Sequence, residues 1–134
     1  MVSSTQKVGN RSEACLLAAL TRRYDQLLLP FGDGSRYDIV ADCPMEGFVR
    51  IQCKTGRYRK GAVLFNATSR HGHRGLPVRR YDGQADYFAV WCDELRRAYL
   101  VPTGHVTAQT ASLRVDPTRN NQAARILWAR DYEL

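Results

Sequence analysis

Asp38 stands inside the apolar run Tyr37-Asp38-Ile39-Val40, and Gln52 and Lys54 flank Cys53 in the next apolar run. An ordinary core strand does not carry an acid or an ammonium at such positions. If the two runs are strands of one hairpin, side chains alternate between faces, so Gln52 and Lys54 share a face and Cys53 takes the other. In the right register Asp38 falls beside that shared face. A carboxylate, an amide oxygen and an ammonium then converge on one spot. Phosphodiester hydrolysis uses such a set: oxygen ligands for a hard divalent cation such as Mg2+, and a fixed positive charge where negative charge develops. In that chemistry Asp38 is the carboxylate ligand. Gln52 offers its amide oxygen or orients a water, and Lys54 steadies the attacking hydroxide or the pentacovalent charge. Glu13, far earlier in the chain, reaches the cation directly or through water.

The elements that must position these residues are legible in outline. Residues 10–24 read as a helix, with Asn10 as N-cap and Leu17, Leu20 and Tyr24 following Glu13 at helical spacing. Residues 26–31 form a short apolar edge strand or extended lead-in, and Gly32-Asp33-Gly34-Ser35 is turn chemistry. Residues 37–41 and 48–55 predict a hairpin across the turn 43–47, with Val49, Ile51 and Cys53 alternating against Arg50, Gln52 and Lys54. Residues 56–61 read as a basic loop, 62–67 as a third strand, and 69–77 as a loop rich in Gly, His and Arg. The run 86–92 is a strongly apolar strand that pairs with 97–101 across the turn 93–96. A helical turn at 103–106 and short strands at 113–115 and 124–128 complete the chain. One helix followed by several strands argues an α/β fold with a mixed sheet. The 134 residues suit a single domain with residues 1–7 as a loose, flexible arm.

Charge points to the partner. The net charge is +7 and the pI about 9.6. Between Gly47 and Tyr81 there is no Asp or Glu but there are nine Lys or Arg. A solvated face mixes signs, so a long single-sign segment suits an anionic partner, nucleic acid above all. Arg57, Tyr58, Arg59 and Lys60 mix cations with one ring, as phosphate and groove contacts do. Arg70, His71, His73, Arg74, Arg79 and Arg80 carry the same reading. No apolar run approaches a membrane span, and residues 1–6 lack the apolar core of a signal peptide, so a cytoplasmic protein without a membrane partner is expected. Without secretion, Cys15, Cys43, Cys53 and Cys92 default to free thiols, and their spacing to His71, His73 or His105 matches no zinc motif.

Glu13, Asp38 and Gln52-Cys53-Lys54, in this order, resemble the PD-(D/E)XK nuclease superfamily, where an acid on one strand precedes a (D/E)XK pair on the next. The likeness is nearer to the group I intron-associated branch, which contains a homing endonuclease. It extends over nearly the whole chain, through Lys7-Val8-Gly9, Tyr37-Asp38, Ile51-Gln52-Cys53-Lys54-Thr55, Asp86-Tyr87-Phe88-Ala89-Val90, Tyr99-Leu100-Val101-Pro102 and the tail Trp128-Ala129-Arg130-Asp131-Tyr132-Glu133-Leu134. Two positions depart from the general pattern: no proline precedes Asp38, and Gln52 stands where the superfamily has its middle acid. The intron-associated branch is itself known for Gln there. The resemblance implies an αβββαβ core with a mixed central sheet. It also implies Mg2+-dependent cleavage of double-stranded DNA (Mn2+ substituting), a homo-oligomer of two or four copies, and Glu13, Asp38, Gln52 and Lys54 as catalytic residues. The first three of these would be the metal ligands.

Plainer readings stand beside these. Glu13 completes a capping box with Asn10. Asp38 is a strand-end acid paired to Arg36 or Arg50, Asp42 belongs to the turn, and Gln52 and Lys54 form the wet face of an antiparallel strand. Residues 57–60 are a solvated loop. His71 and His73 suggest an HNH-type histidine, but no supporting Asn and Cys pattern accompanies them. Tyr81, Trp91 and Trp128 are packing residues. Two other functions remain as rivals: a Holliday-junction-resolvase-like nuclease that prefers branched DNA, and a non-catalytic DNA-binding module with a decayed nuclease site.

Overall fold

The computed structural model of the chain describes residues 1–69, 79–80, 84–120 and 124–134. It opens with α1 (Ser4–Leu20), capped at its start by Ser3, whose Oγ accepts from Gln6 N at 3.1 Å. Residues 4–7, expected in a loose arm, are therefore helical, and Asn10 lies mid-helix and is no N-cap. The first turns are exposed and carry no apolar stripe, so periodicity could not announce them. The helix stops at Leu20, before Tyr24, with Thr21 Oγ1 donating to Ala18 O at 2.6 Å.

Among the described residues ten strands follow: β1 (Gln26–Leu28), β2 (Ile39–Cys43), β3 (Gly47–Arg59), β4 (Ala62–Asn66), β5 (Thr68–Ser69), β6 (Arg79–Arg80), β7 (Tyr87–Cys92), β8 (Arg97–Pro102), β9 (Thr110–Arg114) and β10 (Leu127–Trp128). A 3-10 turn, Thr103–His105, sits where the helical turn was expected. No described helix is long and apolar enough to cross a membrane.

The long strand β3 organises the sheet. Its first part pairs antiparallel with β2, residues 51–56 pair parallel with β7, and residues 57–59 pair antiparallel with β4. β1 extends the β2 edge, β8 extends the β7 edge, and β9 and β10 continue from β4. The sheet is mixed, as expected. Among the described residues α1 is the only α-helix.

Residues 56–61 are not the basic loop that their composition suggested. β3 runs on to Arg59, and the turn is Lys60-Gly61 alone, both in the left-handed region at φ 49° and 81°. Gly56 lies inside the strand because of a close approach: a Cβ there would sit 2.7 Å from Val63 Cγ1 and 2.8 Å from Val90 Cγ1.

The core lies on both faces of this sheet. Leu16, Leu20 and Tyr24 pack with Ile39, Ala41, Val49, Ile51 and Ala89. Phe88, Val90 and Cys92, which alternate with Ala89 along β7, pack with Val63, Phe65, Tyr99, Val101 and Leu113. This double burial explains why β7 reads as an unbroken apolar run. β3 shares its Val49 and Ile51 side with α1. Its other side carries Gln52 and Lys54, in register with Phe88 and Val90. The tail closes the outer edge of β8, with Leu100 N donating to Tyr132 O and Leu134 N to Ala98 O. An otherwise unpaired strand edge is thereby covered.

Candidate active site

Ile39 pairs with Ile51, and Asp38 N donates to Ile51 O at 2.9 Å, which carries the ladder one residue beyond β2. Asp38 therefore faces Gln52. Asp38 Oδ2 accepts from Gln52 Nε2 at 2.9 Å and from Cys53 N at 2.9 Å. The acid and the amide meet as the alternation predicted, with the amide turned N–H toward the acid. Lys54 projects from the same side of β3 as Gln52, and its Nζ donates to Thr68 O at 3.2 Å.

Glu13 arrives from α1. The Ser12 and Thr55 hydroxyls meet at 2.7 Å and pin this part of the helix to β3. Burial pushes the Glu13 carboxyl above its ordinary range, and the Asp38 charge adds to this. Asp38 is itself raised by burial, although the Cys53 N–H and the Lys54 charge pull it down. Burial draws the Lys54 ammonium from 10.5 to about 8, with Asp38 opposing. Burial and then both carboxylates hold the Cys53 thiol well above its usual range, so it is no thiolate nucleophile. An open cleft of about 360 Å³ adjoins the site, lined by Glu13 and Asp38 together with Leu29, Pro30 and Tyr37 of the 29–37 segment.

These donors fit a hard divalent cation. Two carboxylates and an amide supply oxygen ligands of the kind Mg2+ and Mn2+ prefer. The repulsion that Asp38 exerts on Glu13 is a like-charge cost that a cation would relieve. Both hydrogen bonds to Asp38 fall on Oδ2, leaving Oδ1 without one among the described residues. No group of three or more His, Cys, Asp or Glu that could hold a metal occurs among the described residues; Mg2+ is commonly held by one or two carboxylates, with water filling the rest of its shell.

Several plainer readings give way. Arg50 does not pair with Asp38: its backbone N donates to Asp86 Oδ2 at 2.7 Å, and its guanidinium meets Asp86 Oδ1 at 3.3 Å. Asp42 belongs to β2, opposite Phe48, and the turn begins after Cys43. The capping box for Glu13 fails because Asn10 is inside the helix. The residues expected to grip nucleic acid divide. Arg57 meets Glu94 at 3.9 Å, the Tyr58 hydroxyl donates to Asp116 at 2.6 Å, and Arg59 donates to Tyr58 O at 2.8 Å. Those three contacts tie residues of the β3–β4 hairpin to nearby protein groups. Lys60 occupies the exposed turn, and Arg79 and Arg80 form β6. Arg70, His71, His73, Arg74 and Tyr81 lie outside the described residues.

Sequence reasoning missed the residues that hold the site. Thr68, whose carbonyl takes the Lys54 hydrogen bond, belongs to no motif. Asp86 was read as the start of a strand and as part of the family likeness but not as a partner of Arg50, whose side chain it fixes two residues before Gln52. An acid at the mouth of an apolar strand was the available signal for Asp86. Nothing in the sequence marks a backbone carbonyl as a partner.

Comparison with known proteins places the family and the fold. A family model described as PD-(D/E)XK endonuclease matches residues 3–134. No curated protein matches. Among solved structures, a bacterial homing endonuclease, I-Ssp6803I, is similar with a TM-score of 0.72 at 21% identity, over 98% of this chain and 89% of that one. That likeness concerns the fold. The family match spans nearly every residue, so the chain belongs to the PD-(D/E)XK endonuclease family.

Proposed function

We propose that this protein is a Mg2+-dependent endonuclease that hydrolyses phosphodiester bonds in double-stranded DNA, in the manner of a homing endonuclease. The observation that carries the reading is the meeting of Asp38 and Gln52 at 2.9 Å, with Glu13 near enough to feel the Asp38 charge. Glu13, Asp38 and Gln52 would hold the divalent cation, with Mn2+ as a substitute. When bound, the cation supplies Lewis-acid polarisation of the phosphate.

The chain's own groups do the rest. Asp38 orients the Gln52 amide through Oδ2. Lys54 stays mostly protonated at neutral pH even with its ammonium drawn down to about 8. Held by the Thr68 carbonyl, it presents a fixed positive charge to the pentacovalent phosphate. The basic segment, including Arg70, His71, His73, Arg74, Arg79 and Arg80, supplies the grip on DNA. Arg57, Tyr58, Arg59 and Lys60 contribute from the β3–β4 hairpin. One site cuts one strand, so a double-strand break calls for a homo-oligomer, a dimer or tetramer.

Purified protein incubated with supercoiled plasmid and Mg2+ tests the reading. Wild type is expected to cut, and Asp38→Ala and Lys54→Ala to lose cutting. Variants as active as wild type would end the assignment. A second reading, a DNA-binding module with a decayed site, draws on Gln52 spending its amide N–H on Asp38. It predicts binding that weakens with salt, by roughly 0.9 in log affinity per phosphate contact and decade of salt, and no cleavage with any divalent metal.

A further inference from the structure

The ammonium of Lys54 is held from outside the strand that carries it. Its Nζ donates to the backbone carbonyl of Thr68 at 3.2 Å. Thr68 opens β5, is only 8% exposed, and stands two residues beyond the last residue of β4, Asn66. One side-chain oxygen sets the shape of this corner. Asn66 Oδ1 accepts from Thr68 N at 2.9 Å and from Thr68 Oγ1 at 2.7 Å. A short polar side chain that bonds the backbone two residues on closes an Asx-type turn and fixes the peptide groups inside it. Ala67, between the two, is tied the other way, its N donating to Gln109 O at 2.8 Å.

Asn66 itself is exposed, pairs with Thr110 through the backbone, and needs no packing to keep its strand. Its side chain is thus available to the turn. The corner also joins two parts of the site. β5 pairs with β6, Thr68 opposite Arg80, so the residue that receives Lys54 begins the ribbon that leads into the basic segment. A shift of the Thr68 carbonyl would displace an acceptor that fixes the ammonium, and misplacing a catalytic group by about 1 Å costs on the order of 100-fold in rate.

We propose that Asn66 is a positioning residue for Lys54, locking the Thr68 carbonyl that holds the ammonium where charge develops on the phosphate. The proposal rests on the catalytic role of Lys54 stated under Proposed function. It is tested with supercoiled plasmid and Mg2+, comparing wild type, Lys54→Ala, Asn66→Ala and Asn66→Asp, with plasmid affinity measured separately in divalent-free buffer.

Asn66→Ala is expected to lower kcat by about 10- to 100-fold, with KM and plasmid affinity within about threefold of wild type. Asn66→Asp keeps an acceptor oxygen at the same place and is expected to recover most of kcat. A general loss of structure would not be rescued by Asp, and thermal melts of both variants exclude it. Thr68→Val, which removes the hydroxyl but leaves the amide and carbonyl, is expected to fall between wild type and Asn66→Ala. If Lys54→Ala is inactive while Asn66→Ala keeps wild-type kcat, the positioning role is wrong and the catalytic assignment stands. Asn66→Asp as impaired as Asn66→Ala, or a loss carried by KM and affinity alone, likewise overturns it. A fully active Lys54→Ala removes the catalytic role of Lys54 and this proposal with it.

Discussion

Replacing Lys54 by Met should stabilise the metal-free protein while destroying its chemistry. Burial lowers the Lys54 ammonium from 10.5 to about 8, so the folded state disfavours the charged form. At about 1.4 kcal/mol per tenfold change in proton affinity, the cost of folding with the charge in place is at most roughly 3 kcal/mol. Lys54 is partly exposed, and solvent screening reduces this to roughly 2 kcal/mol. Met keeps the stem's packing but leaves the Thr68 carbonyl without this donor, a loss of about 1 kcal/mol. The expected net gain for Lys54→Met near neutral pH is roughly 1 kcal/mol.

The sign with pH follows from proton binding. Between about 8 and 10.5 the unfolded chain holds the Lys54 proton more tightly than the folded one, so this group's contribution to stability rises with pH across that window. Below about 8 both states are protonated and the full cost applies. The assay is urea unfolding followed by circular dichroism, in EDTA, for both proteins from about pH 7 to the 10.5 of a free lysine. Taking the difference between the two proteins cancels the tyrosines and thiols that titrate in the same range. The advantage of Lys54→Met should shrink as pH rises, cross zero inside the window, and become a deficit of about 1 kcal/mol near its top, where only the lost hydrogen bond to Thr68 remains. A variant less stable than wild type at neutral pH, or an advantage that does not change with pH, refutes the argument that the site holds a buried charge at a cost.

Three further expectations concern the same site and its scaffold. Mg2+ should raise the melting temperature at neutral pH, by several degrees if it stands about 100-fold above its Kd, and Asp38→Asn should abolish the rise; an equal rise in the variant places the ion elsewhere. Gln52→Glu exchanges a donor to Asp38 for a third carboxylate beside Glu13 and Asp38, so calorimetric titration with Mn2+ should show affinity up by about tenfold, while the metal-free protein loses roughly 1–2 kcal/mol in urea unfolding; unchanged affinity would exclude Gln52 from the ligand set. Gly56→Ala should cost about 2 kcal/mol or more, because its Cβ would lie 2.7 Å from Val63 Cγ1 and 2.8 Å from Val90 Cγ1, and adding Val63→Ala should not compound the loss; a neutral Gly56→Ala shows that the strands separate freely there.

Local chemistry was enough to place Asp38, Gln52 and Lys54 together. Strand alternation has a period of two whatever the tertiary context, so Gln52 and Lys54 had to share a face, and a hairpin with a short turn left few registers that brought Asp38 alongside. The apolar character of β7 was equally plain, because a strand buried on both faces cannot hide polar residues. What escaped local reading falls into two kinds. The start of α1 is exposed and carries no apolar stripe, so only its local Ser3 cap marks it; the rest draws its energy from partners elsewhere in the fold. Gly56 reads as a loop residue until Val63 and Val90 press against it. Arg50 finds Asp86, and Lys54 finds the carbonyl of Thr68, across separations that no sequence pattern encodes. Residue types and spacing thus determined which groups form the candidate site. Tertiary packing decided which of them are buried, which are held, and how far their charges are displaced, since desolvation and long-range hydrogen bonds exist only once the layers have closed.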